Sequence, residues 1–165
     1  RKAAKNAKNT IVQTIREQEK NALYNELHAK EKEIVTGVVQ RINDNGDMTI
    51  DIGRTQAVLK ADDNFKDKQF KCGDRIKVYV ASVSNRERSG LSVKISRKSQ
   101  ELVKKLFEEE VTEVRDGTVE IKNVAREAGS RTKMSVWSKD PNVDAVGACV
   151  GVNGARVNAL SLIHI

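Results

Sequence analysis

The chain has 165 residues, room for one ordinary domain or two small ones, of which 32% are charged, 38% hydrophobic and 4% aromatic. That balance is too polar for a membrane protein and too rich in Val, Ile and Leu for a disordered one; no apolar run reaches the ~20 residues of a bilayer span, and no signal-peptide pattern opens the chain. The net charge of +7 favours a polyanionic partner such as nucleic acid, and it lies upstream: +3 across residues 1–33, +4 across 34–97 and zero across 98–165.

Residues 1–33 contain neither glycine nor proline. Ala4, Ala7, Ile11, Ile15, Ala22 and Leu23, with Val12 and Leu27 alongside, recur at roughly the helical period. The spacing predicts an amphipathic connecting helix whose apolar stripe needs a partner, either packing on an upstream domain or linking that domain to the segment beginning at Ile34. A self-associating coiled coil is the weaker reading, because the stripe is Ala-rich and lacks sustained Leu heptads. The sequence opens at Arg1 inside a helical pattern, which implies a piece of something longer. Cys72 and Cys149 are far apart, and fit buried thiols in a reducing compartment, the cytoplasm, better than a disulfide.

From Ile34 to Arg97 the period is two. "EIVTGVVQRI" predicts a strand, and "NDNG" a turn. In "DMTIDI", Met48, Ile50 and Ile52 share one face, with Asp47, Thr49 and Asp51 on the other. "TQAVLK", "DRIKVYVASV" and "GLSVKIS" supply three more strands, with Ile76, Val78 and Val80, then Leu91, Val93 and Ile95, facing one way. Five short half-apolar strands in so small a unit avoid open edges by closing into a barrel, an OB-type architecture.

Residues 98–165 read differently. "QELVKKLFEEE" places Leu102, Val103, Leu106 and Phe107 on one helical face; two strands come next, "GTVEIKNVAR" and "RTKMSVWS", then the short helix "VDAVGACV". "CVGVNGARVNAL" puts Gly151 and Gly154 three apart, with Val157 and Leu160 beyond at helical spacing. A lone GxxG is a weak signal. Preceded by helix, strand, strand and short helix, it has the order of a KH domain, whose GxxG loop clamps about four nucleotides of single-stranded nucleic acid. Without Cβ atoms a phosphate backbone can approach the peptide closely, and the next helix offers its first N–H groups. The fold expected is α+β and multidomain: helix, five-stranded barrel, then a partial type II KH unit of α-β-β-α-α order.

The stretches "VAREAGSRTK" and "DPNVDAVGACVG" carry a specific likeness. The segment from Gly117 resembles the start of the first KH domain of the NusA family of bacterial transcription termination/antitermination factors. The barrel is similar to that family's S1 domain, and the opening helix to the end of its N-terminal domain; the resemblance runs from Arg1 to about Ala159. It implies binding of nascent single-stranded RNA and work with RNA polymerase, mainly through an upstream domain, and with antitermination factors. Two departures stand out. The family loop usually bears a basic residue between its glycines, where this chain has Val152 and Asn153, leaving Arg156 as the nearest charge. The tail Leu160–Ile165, "LSLIHI", looks foreign to the family, and no room remains for a third KH strand.

The RNA-binding candidates are Gly151, Val152, Asn153, Gly154, Ala155 and Arg156 of the loop, and Arg126, Arg131 and Lys133 flanking the strand–strand turn. In the barrel, Lys60, Arg86 and Arg88 are either phosphate contacts or plain surface charge. Phe65, Phe70 and Tyr79 are either stacking platforms or core. No P-loop, dinucleotide-binding glycine pattern or paired-cysteine metal spacing occurs, so no cofactor, metal or catalysis is expected. His28 and His164 have no plausible catalytic partner; Glu108 to Glu110 read as a solvated helix end, and Asp47 and Asp51 as the wet side of a barrel. Two rivals are an RNA-processing enzyme with KH and S1 appendages and a ribosome-associated KH protein. Barrel before KH argues against the phosphorylase arrangement, and the leading helix against the ribosomal one.

Overall fold

The computed structural model describes residues 1–64, 70–86 and 90–161, with Arg86 described by its backbone alone. Helix α1, Lys2–Ala29, is 28 residues long. Its last turns dock: Leu27 is buried in the barrel core, and Leu23 and Tyr24 pack against it. The Arg54 guanidinium, 2.9 Å from Glu26, ties the helix to the turn at residues 52–55. Upstream the apolar stripe is uncovered, with Ile11, Val12 and Ile15 all exposed. After α1 the backbone joins the barrel directly, Lys32 N–H donating to the Val80 carbonyl and Val80 N–H to that of Glu33.

The five strands are β1 Ile34–Ile42, β2 Met48–Asp51, β3 Gln56–Leu59, β4 Arg75–Arg86 and β5 Gly90–Ser96. They close in the order β1-β2-β3-β5-β4, with β3 and β5 parallel at Val58↔Lys94 and the other pairs antiparallel. The expected closed barrel is what forms. The two-residue alternation does the sorting: Met48, Ile50 and Ile52 are buried, while Thr49 and Asp51 are half-buried. Val39, Ile50, Leu59, Val78 and Ile95 fill the interior at 1% exposure or less.

Strand β4 is apolar on both sides. Tyr79, with Ile34 and Ala81, faces outward into a second cluster that holds Leu102, Val103, Leu106 and Phe107 of α2, Gln100–Glu110. Ser99 caps α2, its side chain accepting from Glu101 N–H. Lys105 clasps Glu33 at 3.0 Å and Glu108 at 2.9 Å, and Lys77 pairs with Glu109. At the "solvated helix end", then, Glu109 pairs with the barrel through Lys77 and Glu108 pairs within α2 through Lys105. A short helix the sequence did not suggest, α3, Thr112–Arg115, comes after Val111.

Strands β6, Val119–Glu127, and β7, Arg131–Ser138, form an antiparallel hairpin with a bulge between Ile121 and Asn123. Then come α4, Ala145–Val150, a 3-10 turn at Val152–Gly154, and α5, Ala155–Ser161. Cys149 and Leu160, at 4% and 1% exposure, complete the second cluster beside Met134 and Val136. Among the described residues this sheet has two strands. Leu160 and Ser161 of the tail continue α5, and residues 162–165, His164 included, lie outside the described residues. Cys149 is a buried thiol as expected; Cys72 is exposed, because it sits in the turn before β4 rather than on a barrel face, and neither forms a disulfide. No helix among the described residues is long and apolar enough to cross a membrane.

Candidate nucleic-acid interface

Helix α4 is set by Asp144, whose carboxylate caps it by accepting from Val146 N–H at 3.1 Å. The helix stops at Gly151, φ 75°, and the chain turns through Val152, Asn153 (φ 52°) and Gly154 (φ 74°) into α5. Three reversals of this kind within four residues explain two glycines and an asparagine, the residues that tolerate left-handed φ. The bend is open: Val152 is 82% exposed, and Asn153 and Ala155 are also exposed. Val150, ahead of it, is 37% exposed.

The two glycines differ. A Cβ on Gly151 would stand 2.8 Å from Arg156 Cγ and 3.1 Å from Arg156 N, whereas one on Gly154 would meet only Asn158 Nδ2, at 3.5 Å. Gly151 therefore lets the first turn of α5 close over the end of α4. Arg156 makes that closure and is not a loose cation: its Nη1 donates to the Ala148 carbonyl at 2.6 Å and to Glu113 Oε2 at 2.9 Å. Glu113 belongs to the unanticipated α3, so the sequence held no sign of this pair.

The hairpin cations divide. Thr132 pairs with Arg126 across the strands, and both point to the inner face, where Arg126 Nη1 donates to the Ser99 carbonyl at 2.6 Å. Arg126 Nε and Nη2 and Thr132 Oγ1 are buried without a hydrogen-bond partner among the described residues, and burial pulls the Arg126 guanidinium pKa down. Arg126 thus anchors the hairpin to the barrel–α2 connection instead of flanking the turn as an open cation. Nearby Arg97 is 2% exposed, its pKa lowered to about 10 by burial and then by Arg126. Arg131 and Lys133, with Ala125, Glu127 and part of Arg126, line a shallow dent of about 310 Å³ at the turn end of the hairpin.

On the barrel, exposed Lys60 lines a groove of about 460 Å³ between β3 and β5, together with Lys94, Val58 and Leu91. Arg86 ends β4, and Arg88 and Phe65 lie outside the described residues. The two described aromatic candidates are structural: Tyr79 is buried under α2, and Phe70 packs on the barrel core with the Arg97 guanidinium 4.8 Å from its ring centre. Among the described Phe, Tyr and Trp rings the open one is Trp137 on β7, which no sequence motif singles out, 51% exposed with Lys122 Nζ 4.8 Å from its centre. The unbroken alternation of β7, with Met134 and Val136 inward, puts Trp137 on the outer face, but an outward position by itself does not mark a binding residue. Among the described residues no group of three or more His, Cys, Asp or Glu gathers as metal ligands would.

Residues 97–162 match the family model of the NusA-like first KH domain. The chain is 44% identical over 158 residues to the transcription termination/antitermination protein NusA of Bacillus subtilis (strain 168), an alignment covering 96% of this chain and 42% of that protein. NusA of Halalkalibacterium halodurans is 43% identical, across 96% of this chain and 41% of the relative. NusA of Thermus thermophilus is 38% identical, across 98% and 41%. The chain spans about two fifths of the length of these curated relatives. Barrel, KH-like unit and alignment agree with the likeness read from "VAREAGSRTK" and "DPNVDAVGACVG": nearly the whole chain is similar to NusA proteins, and residues 97–162 to their first KH domain.

Proposed function

We propose that the chain is the RNA-binding portion of a non-catalytic transcription elongation factor of the cytoplasm, acting in pausing, termination and antitermination. Nascent single-stranded RNA lies along the Gly151–Arg156 bend. RNA polymerase is engaged mainly upstream of this segment, and antitermination factors are further partners. In this reading residues 1–33 connect, 34–97 form an S1 unit and 98–165 the KH unit. Lys60, Arg131 and Lys133 add backbone contacts, while Arg156 positions the bend through Glu113 and Ala148.

One observation carries the proposal: the bend between α4 and α5 is open to solvent, Val152 being 82% exposed, within a segment that matches a NusA-like KH domain. A side-chain-poor bend leading into the first N–H groups of a helix suits a phosphate backbone. The test is a salt titration of the chain with single-stranded RNA and with a duplex of equal length. Preferential binding of the single strand, weakening as salt rises, is expected; no binding, or equal binding of both, would overturn it.

A further inference from the structure

The β6–β7 hairpin has a second side. Ile121, Met134 and Val136 turn inward to the cluster under α2, α4 and α5. The outer face carries the cross-strand pairs Glu120↔Trp137, Ala125↔Lys133 and Glu127↔Arg131. Lys122 covers the Trp137 ring from 4.8 Å. Glu120 bridges Lys122 and Lys139, the latter at 2.7 Å. Four cations, Lys122, Arg131, Lys133 and Lys139, thus face two carboxylates, within a segment, residues 98–165, whose net charge is zero. Half of the segment's other eight acids lie on α2, as Glu101 and Glu108 to Glu110. Charge has been sorted onto this face.

An exposed apolar side chain alone is ordinary. An indole half open to water among ammonium groups, on a face with surplus positive charge, is the combination that sequence-tolerant single-strand binding uses: a π-face for a base and cations for the flanking phosphates. The described Tyr and Phe rings are buried or half-buried, so this is the exposed platform among them.

We propose that the outer face of the β6–β7 hairpin is a second RNA contact, with Trp137 stacking on an unpaired base and the surrounding lysines and Arg131 receiving the adjoining phosphates. The proposal rests on the RNA-binding reading above but uses the side of the sheet away from the GxxG bend. Glu120 holds the two lysines in place until phosphate competes for them. Its carboxylate, charged at neutral pH like any exposed glutamate, has its pKa lowered to about 2 by Lys122 and then Lys139.

Trp137 is the chain's one tryptophan, so its fluorescence reports this face directly. Titration of the full chain with single-stranded RNA of about eight nucleotides should quench it saturably. A duplex, or polyglutamate with charge but no bases, should not. By anisotropy of labelled RNA, Trp137→Ala should weaken binding about tenfold, Trp137→Phe should retain most of it, and Glu120→Gln should tighten it. RNA binding without quenching, with Trp137→Ala unaffected, would overturn the second contact while leaving the bend intact. Loss with Trp137→Ala but indifference to charge changes at Asn153 would sink the bend and keep this face. Quenching by polyglutamate equal to that by RNA would also contradict stacking, and would point to an acidic protein segment as the occupant.

Discussion

Gly151 and Gly154 answer to different constraints, and substitution separates them. Alanine at Gly151 meets both a positive φ and Arg156 Cγ at 2.8 Å, close to the main chain of α5 rather than at a flexible tip. It should cost roughly 3 kcal/mol by thermal or denaturant unfolding. Alanine at Gly154 meets only the φ of 74° and should cost about 1 kcal/mol. Equal losses would mean that α5 does not close over α4 through Gly151. Because Gly151 serves the fold, a ligand test belongs at Asn153, which is exposed and already left-handed. Glu120 offers a titration at the same scale. Its pKa is depressed from 4.5 to about 2 by Lys122 and Lys139, so its favourable contribution is present above 4.5 and is lost as pH falls toward 2. An NMR titration should find its midpoint far below that of an ordinary glutamate, and Lys139→Ala should raise it.

At the scale of elements, the barrel was legible because one rule governs it. Alternation in "DMTIDI" and in Val78 and Val80 assigns faces correctly wherever a strand runs unbroken. Gly37 shows how tight the closure is: a Cβ there would lie 2.3 Å from Ile50 Cγ2 and 3.0 Å from the Asp51 carbonyl. Gly37→Val should destabilise the barrel by about 3 kcal/mol, seen as a lower Tm; an unchanged Tm would deny that β1 and β2 approach so closely. The hairpin was less legible. Continuing the alternation from Val119 and Ile121 would turn Arg126 outward, but the bulge after Ile121 inverts the phase and carries Val124 and Arg126 inside. The spacing of two from Val119 to Ile121 and three to Val124 carries the mark of the bulge, but grouping by nearness to the turn sets Arg126 with Arg131 and Lys133. Four-residue α3 was invisible, being shorter than one helical repeat of apolar positions, and with it went Glu113 as the partner of Arg156. The bend itself was readable from two glycines and an asparagine; which of its charges are already engaged was not.

At the scale of the whole molecule, Tyr79 couples barrel and KH unit, since it sits on β4 yet is buried in the cluster of α2, Cys149 and Leu160. Tyr79→Ala should cost about 3 kcal/mol and strip hydrogen-exchange protection from α2 and β6 before the barrel strands. Uniform loss would instead describe one inseparable unit. Ile11, Val12 and Ile15 leave an uncovered apolar stripe on α1, and the chain spans about two fifths of the length of the curated relatives it matches. Its own contribution turns on whether the open bend seats a phosphate. The most direct measurement is the salt dependence of single-stranded RNA affinity for the native chain, Asn153→Lys and Asn153→Asp. The lysine variant should bind more tightly, its log–log salt slope steeper by about 0.7 for one added phosphate contact, and the aspartate variant more weakly. Three identical slopes and affinities would contradict the account.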